Sequence, residues 1–144
     1  MRTIRFTFLS LLTSSLAGCA GVADDRGRLI ETIEDALVLP QEAAPLGSYE
    51  RYYADRDGVI LAVFINHSDD HRQAVAQHCR TLDEAPFPCP LAGGEVRLVD
   101  AGDSTWVEDW RNLPGMSGGG CAQVDIEYLP TERKFSRVEC NGPY

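Results

Sequence analysis

The fold is decided by residues 121–142, CAQVDIEYLPTERKFSRVECNG, in which apolar and polar side chains alternate. Alternation with a period of two is typical of a strand that has one buried face and one solvated face. The apolar positions are Ala122, Val124, Ile126 and Tyr128, and the polar positions are Gln123, Asp125 and Glu127. A second strand is predicted over 135–140, so the segment indicates an antiparallel hairpin.

The pairing of these two strands is predicted to place Val138 opposite Val124, so that two apolar side chains meet across the pair. In this register Cys121 lies one position out of line with Cys140 and on the other face. We therefore expect a β-bulge near 118–120, where three glycines follow one another, to bring the two cysteines together.

A second hairpin is predicted in YERYYADRDGVILAVFIN, residues 49–66, with its turn near Asp57-Gly58. Its second strand, VILAVFI, is apolar on both faces and is therefore expected at the centre of the sheet. In the first strand, Tyr52 falls on the opposite face from Tyr49 and Tyr53. One of these faces is expected in the core and the other in an exposed aromatic patch.

Helices are predicted on both sides of this hairpin. RLIETIEDALVLP, residues 28–40, places Leu29, Ile33 and Leu37 on one helical face and ends in a proline. SDDHRQAVAQHCRTL, residues 68–82, is predicted as a second helix that begins with two aspartates, which suit a helix N-terminus.

The stretch between the second helix and the last hairpin is predicted from its prolines and glycines. Residues 83–94, DEAPFPCPLAGG, contain three prolines and are expected to be irregular. EVRLVD, residues 95–100, is predicted as a strand. STWVEDWRNLPG, residues 104–115, is predicted as one or two helical turns that place Trp106 and Trp110 on one face.

Together these elements predict a single α+β domain over residues 28–144. It has a mainly antiparallel sheet of four or five strands, with an N-terminal helix packed on one face and a second short helix. Disulfide bonds are expected to crosslink the domain. Its element order resembles that of the cystatin-like and nuclear-transport-factor-like rolls. The combination of YERYYA and DGVI with a terminal GGGC and CNG also resembles small exported proteins of proteobacteria, and this resemblance implies no activity.

The N-terminal segment has the layout of a secretory signal. Arg2 and Arg5 precede an apolar run, FTFLSLLTSSLAG, which is too short to span a bilayer as a helix and ends in small residues. The next residue completes LAGC, residues 16–19, which resembles the lipobox of bacterial lipoproteins. The resemblance implies that residues 1–18 are removed as a signal peptide and that Cys19 is lipidated as the new first residue.

The same resemblance implies a localisation at the outer membrane and the lipid bilayer as a binding partner. Ala20, rather than an aspartate, follows the cysteine, which implies export to the outer membrane with the domain facing the periplasm. The acylated Cys19 then holds the chain in the lipid bilayer, and residues 19–27 form a tether. We expect a lipoprotein of the bacterial cell envelope whose acidic domain binds an envelope protein or a cell-wall component.

The charge of the chain argues against nucleic acid as a partner. The chain carries 13 basic and 22 acidic residues, which gives a net charge of −9. Arg2 and Arg5 lie in the predicted signal, so the remaining 11 basic residues leave the domain with a net charge of −11. Phosphate binding depends on clusters of lysine and arginine, which this composition does not supply.

With Cys19 assigned to the lipid, four of the five cysteines remain for the domain. An even number in a small exported domain predicts disulfides, and four cysteines allow three connectivities. We expect the sequence neighbours to pair, Cys79 with Cys89 and Cys121 with Cys140. The spacing contains no C-x-x-C pair, which disfavours a thioredoxin-like redox site and a four-cysteine zinc site.

Two alternative functions depend on short constellations. All three histidines, His67, His71 and His78, fall in one segment and share a stripe if it is helical, so they are a candidate zinc or copper site. PGMSGGG contains the pattern G-x-S-x-G around Ser117, which is the pattern of a hydrolase nucleophile. A nucleophile elbow requires a strand before the serine and a helix after it, and neither is predicted here.

Aromatic residues give the candidate interaction surface. Residues 104–115 place Glu108 and Asp109 beside two tryptophans, and such acids can hydrolyse sugars that aromatic rings bind. The favoured interpretation is a binding surface without catalytic residues and without a cofactor other than the candidate metal. This surface is predicted to consist of Tyr49, Tyr53, Trp106 and Trp110.

Overall fold

One helix and a five-stranded sheet form the body of the protein in a computed structural model. The structure describes residues 20–66, 73, 76–77, 79, 89, 91–92, 95–96, 98–116 and 118–142. Its elements are α1 (Ala20–Ala36), β1 (Glu50–Arg56), β2 (Val59–Ile65), β3 (Leu91–Ala92), β4 (Glu95–Val96), β5 (Ser104–Trp106), β6 (Gly120–Leu129) and β7 (Lys134–Asn141). In these ranges no helix has the length and apolar character needed to cross a membrane.

The sheet has the strand order β5-β1-β2-β6-β7, and β3 and β4 form a separate two-stranded sheet. All neighbouring strands are antiparallel except β1 and β5, which are parallel. The predicted α+β class with a mainly antiparallel sheet is therefore confirmed. Strand β2 occupies the centre of the sheet, as its two apolar faces predict.

The first hairpin turns at Asp57 and Gly58, as predicted. Both residues have positive φ, 55° and 84°, and the strands on either side are in register from Arg56 and Val59 onward. Two consecutive left-handed residues are typical of the type I′ turn, whose twist matches that of the strands it joins. The side chain of Asp55 accepts a hydrogen bond from the Gly58 amide at 3.0 Å and supports the turn.

Helix α1 covers one face of the sheet, which we call the helix face. Ile33 of α1 is fully buried there, and Leu29, Ile30 and Leu37 pack around it. The core of the helix face consists of Ile33, Tyr49, Tyr53, Ile60, Ala62, Phe64, Val124, Ile126 and Tyr128. On the opposite face, a smaller core consists of Tyr52, Ala54, Val99 and Val107.

The register predicted for the last hairpin is wrong by two residues over 137–140, where Val138 pairs with Ile126, and by one residue at Phe135, which pairs with Tyr128. The pairing shifts at Ser136, which has no counterpart on β6 in the register. Val138 meets Ile126 in place of Val124, so its partner is still apolar. A second irregularity lies between Gly120 and Val124, close to the bulge predicted over 118–120.

Both predicted disulfides are present in the structure. Cys79 bonds Cys89 across 10 residues, and Cys121 bonds Cys140 across 19 residues. The irregular pairing after Gly120 lets Cys121 reach the end of β7 although the two cysteines are not opposite each other in the register.

Three local predictions between residues 83 and 115 require correction. Leu91–Ala92 is a short strand inside the segment predicted to be irregular, and residues 98–100 are irregular in the predicted strand 95–100. Ser104–Trp106 is a strand, not a helical turn, because it pairs with Arg51–Tyr53 of β1. Tertiary pairing has overridden local propensity here. Only Trp110–Asn112 has the predicted helical character, as a single 3₁₀ turn.

The two helix predictions have different outcomes. Helix α1 begins at Ala20, before the predicted start at residue 28, so the backbone of residues 20–27 in the predicted tether is helical. Its role as a tether stays a prediction. Of the second predicted helix, the structure describes three helical positions, Gln73 and 76–77, and Cys79 in a turn.

Candidate binding groove

The residues of the predicted metal site and the predicted serine nucleophile lie outside the described part of the chain. These residues are His67, His71, His78 and Ser117, and both sites stay predictions. Within the described residues, no group of three His, Cys, Asp or Glu side chains is close enough together to hold a metal ion.

The prediction that one face of the first strand carries an exposed patch of tyrosines is wrong, because the tyrosines on both faces are buried. Tyr49 and Tyr53 are both 0% exposed on the helix face, and Tyr52 is 1% exposed on the opposite face. Alternation assigned the two faces correctly, but both faces of β1 are covered. Val99 and Val107, from the segment around β5, cover the face that the sequence left open.

The hydroxyl of Tyr49 connects two distant parts of the chain. It accepts a hydrogen bond from the Ala44 amide at 2.9 Å and donates one to the Cys121 carbonyl at 2.7 Å. Burial raises the pKa of Tyr49 above its usual value, so the side chain stays neutral and able to donate. Tyr49 therefore stabilises the fold and is not available to a partner.

Tyr53 belongs to a polar cluster between α1 and β1. Its hydroxyl donates to Oε1 of Glu34 at 2.7 Å, and Nε of Arg51 lies 2.8 Å from the same oxygen. Burial and the adjacent carboxylate raise the pKa of Tyr53 far above its usual value. Arg51 also donates to the Leu46 and Gly102 carbonyls at 3.3 and 2.6 Å, so its guanidinium ties two loops to the helix.

An open groove of about 200 Å³ lies on the opposite face, over β2, β6 and β7. Its apolar lining includes Leu61 and Val63 of β2 and Leu113, which follows the 3₁₀ turn. Val63 is 9% exposed and Leu61 is half-buried, so part of this apolar surface is accessible. The groove is thus a place where an apolar side chain of a partner could be removed from water.

Charged side chains of both signs line the groove beside these apolar residues. Nη2 of Arg56 lies 3.4 Å from Oε1 of Glu127, and Nη2 of Arg137 lies 3.7 Å from Oδ2 of Asp125. Arg137 also pairs with Glu139, and this contact is the main reason that the pKa of Arg137 is raised. The groove therefore places two arginines, Arg56 and Arg137, beside the two acids of β6, and this mixture of charges suits a partner that carries both.

Trp110 stands next to the groove and is 38% exposed. The guanidinium carbons of Arg56 and Arg111 lie 5.6 and 5.7 Å from its ring centroid, within the range of cation–π contacts. Arg56 lines the groove as well, so it links the aromatic ring to the charged wall. An exposed aromatic ring with two guanidinium neighbours is a favourable contact for a peptide.

The other aromatic and acidic residues of this segment do not form the predicted surface. Trp106 is half-buried against the core of the helix face, and the Arg26 guanidinium lies 5.0 Å from its ring centroid. Asp109 caps the 3₁₀ turn by accepting from the Arg111 amide at 3.0 Å, and it also forms an ion pair with Arg111. Of the four predicted surface residues, only Trp110 is exposed.

The glycine-rich segment before β6 is fixed to the charged side of the sheet. The Gln123 side chain accepts from the Met116 amide at 2.6 Å and donates to Oδ1 of Asp125 at 2.7 Å. The Asn141 side chain donates to the Met116 and Gly118 carbonyls at 2.7 and 3.0 Å. Gln123 is 5% exposed, so Asp125 is held by a buried amide on one side and by an arginine on the other.

The groove was not identified from the sequence, although part of its signal was visible. The alternation in β6 correctly gave a polar face containing Asp125 and Glu127. Arg137 lies beside these acids through the last hairpin, whereas Arg56 of β1 reaches Glu127 only because the strand order places β1 and β6 on either side of β2. Strand order follows from long-range pairing, which local periodicity does not encode.

The chain matches no protein-family model, and its comparison with curated proteins and with solved structures finds no match either.

Proposed function

We propose that this protein is a lipid-anchored lipoprotein of the bacterial cell envelope whose domain binds a peptide segment of another envelope component in the groove. The groove carries the binding part of this proposal, because it combines accessible apolar surface with paired charges and lies beside an exposed tryptophan. The LAGC sequence at 16–19 carries the anchoring part. Two disulfides agree with an oxidising compartment such as the periplasm.

The chemistry of the groove suggests the kind of segment that fits. An apolar side chain would lie over Leu61 and Val63. Acidic and basic groups on either side of it would face Arg56 and Glu127. The arginines bring donors for carboxylates, and the acids would repel a uniformly anionic ligand. A peptide with both charges therefore fits better than a polyanion.

The proposal for the whole chain also includes three finer features that the sequence predicts. These are the signal peptide over 1–18, the tether over 19–27, and the second short helix over 68–82, which the Cys79–Cys89 disulfide would attach to the following segment.

The anchor is tested by labelling growing cells with a palmitate analogue and separating their membranes. The wild-type chain is expected to carry the label and to sediment with the outer membrane, whereas Cys19→Ala is expected to carry no label. Ser14→Ala is the matched control, because it alters the same segment without removing the thiol. Equal labelling of Cys19→Ala would contradict the proposed anchor.

The groove is tested with a photoreactive amino acid placed at Leu61 in the full chain in its native cell. Val38, which is 82% exposed and lies outside the groove, is the control position. Crosslinking is expected at Leu61 and not at Val38, and Arg56→Glu should reduce it. Digestion of the cell wall before analysis separates a cell-wall peptide from a protein. The same products from both positions would rule out the groove.

A further inference from the structure

Strand β7, Lys134–Asn141, lies at one edge of the sheet. In the part of the chain that the structure describes, it has β6 on one side and no strand on the other. With eight residues it is longer than an average strand of about five or six. An edge of this length presents backbone donors and acceptors to which another strand can pair.

The middle of this edge has a self-complementary charge pattern. Arg137 and Glu139 are two residues apart and on the same face, and their side chains are 41% and 56% exposed. Val138 lies between them and faces the other side. From Arg137 to Cys140 the strand pairs without interruption with β6, so this part of the edge is regular.

We propose that β7 pairs with β7 of a second copy of this chain, antiparallel and centred on Val138. In this arrangement Arg137 of each copy faces Glu139 of the other, and the two Val138 side chains meet at the two-fold axis. The same patch serves both copies, as the symmetry of a dimer requires. Opposite charges directly across an antiparallel pair stabilise it.

The charge pattern selects this register over its neighbours. Two identical antiparallel strands related by a two-fold axis must be centred on a residue, since any other alignment would pair residues that point to opposite faces. Centring on Arg137 would place the two arginines against each other, and centring on Glu139 would do the same for the two glutamates. Both alternatives bring like charges together, which destabilises the pair.

The negative net charge of the domain makes two copies repel each other, so the contacts between Arg137 and Glu139 are needed to offset this repulsion. At physiological ionic strength charges more than about 8 Å apart are largely screened. Arginine and glutamate opposite each other in adjacent strands are closer than that, at about 5 Å between their Cβ atoms. The backbone hydrogen bonds supply the attraction, and the charges decide the register.

The dimer would extend the sheet and join the two grooves. The two-fold axis is perpendicular to the sheet, so both copies turn their helix faces to the same side. Both α1 helices would lie on that side, which lets two lipid anchors enter one membrane; this point alone depends on the proposed function. Arg137 lines the groove, so the two grooves would meet at the axis.

The test uses pairs of full-length chains with different C-terminal tags, expressed together and extracted in excess detergent. The measurement is the fraction of the second tag that purifies with the first. For wild type, clear co-purification is expected. Arg137→Glu with itself, and Glu139→Arg with itself, should each weaken it about tenfold or more, because two attractive contacts become repulsive.

The decisive pair mixes the two variants, because Arg137→Glu in one copy then faces Glu139→Arg in the other, and co-purification should return. A return also shows that both variants are folded. Lys134→Glu is the matched control, since its counterpart in this register is the uncharged Gly142, and it should behave as wild type.

The proposed dimer would be overturned if the wild-type chains did not co-purify, or if the mixed pair of variants did not recover co-purification. The assay works equally on a chain that carries no lipid. Its failure is therefore separate from a failure of the proposed anchor.

Discussion

The Nε atom of Arg51 lies 2.8 Å from Oε1 of Glu34, which joins strand β1 to helix α1 by an ion pair. The two side chains are only 10% and 19% exposed, so solvent screens the pair weakly. Glu34 also accepts from Tyr53, and Arg51 also binds two loop carbonyls. The Glu34 carboxylate thus adds a polar contact to the apolar packing of Ile33 that holds the N-terminal helix on the sheet, and the helix in turn leads to the proposed lipid anchor.

Replacement of Glu34 by alanine is expected to lower the free energy of unfolding by about 3 kcal/mol, because it leaves the Arg51 charge buried without its acid. Chemical denaturation measures this change. Glu31→Ala is the control on the same helix; its side chain is exposed, and the substitution should change stability by less than about 0.5 kcal/mol. Equal effects of the two substitutions would show that the pair does not hold the helix.

The stability of the protein should fall at alkaline pH through Tyr53. Its pKa in the folded chain is raised above 10.0 by burial first, then by the hydrogen bond and negative charge of Glu34, against the opposing charge of Arg51. The unfolded chain ionises near pH 10, so the contribution of Tyr53 is complete below that pH. It is lost as the pH rises beyond this value.

Tyr53→Phe is therefore expected to make the decline in stability above pH 10 less steep. At neutral pH it should cost about 2 kcal/mol, the net value of one hydrogen bond to a charged group. Denaturation curves at neutral pH and at pH 11 measure both effects. A decline as steep as that of wild type would show that Tyr53 does not cause the alkaline sensitivity.

The turn of the first hairpin should be sensitive to a single methyl group. Gly58 has φ of +84°, and a Cβ added there would meet no atom within 4 Å, so Gly58→Ala tests backbone conformation alone. We expect it to lower the free energy of unfolding by about 1 kcal/mol. Gly47 also has open space around it and lacks a positive φ, so Gly47→Ala should be neutral or stabilising. Thermal unfolding of both variants checks this; equal losses would contradict the proposed cause.

The parts of the fold that local pattern determines were predicted, and those that depend on distant contacts were not. The Asp57-Gly58 turn and the central position of β2 follow from turn chemistry and from hydrophobicity on both faces. Ser104–Trp106 is a strand and not the predicted helical turn because it pairs with β1, about fifty residues away in the sequence. The burial of Tyr49 and Tyr53 depends on what covers each face of the sheet, which alternation leaves open.

The candidate site was predicted less well than the fold, for the same reason. The polar face of β6 and its hairpin with β7 were identified, but the groove also needs β1 and β2, and β2 becomes a neighbour of β6 only through long-range strand pairing. The bypass of Ser136 accounts for one of the two residues by which the predicted register of β7 is wrong, since the pairing of Phe135 with Tyr128 is already displaced by one residue. A bypassed residue changes which side chains meet and leaves little trace in the period of the sequence.

The disulfide between Cys121 and Cys140 should have two effects, a loss of loop entropy in the unfolded chain and a local restraint on the end of β7. Pairing between β6 and β7 is irregular from Gly120 to Val124, so the covalent bond holds the end of β7 where regular pairing is missing. Replacement of both cysteines by serine is expected to lower the free energy of unfolding by about 3 kcal/mol through loop entropy alone. Amide hydrogen exchange at Val138 and Asn141 should accelerate as well, because the strand end can then open locally.

Replacement of Cys79 and Cys89 is the matched control. That disulfide closes a loop of 10 residues against 19, and because loop entropy depends only on the logarithm of loop length, its loss should cost nearly the same free energy, about 3 kcal/mol. It should leave exchange at the end of β7 unchanged, because neither cysteine lies in the last hairpin. If both double variants accelerated exchange in β7 equally, global destabilisation would account for the effect. The Cys121–Cys140 bond would then have no local role in holding the edge strand.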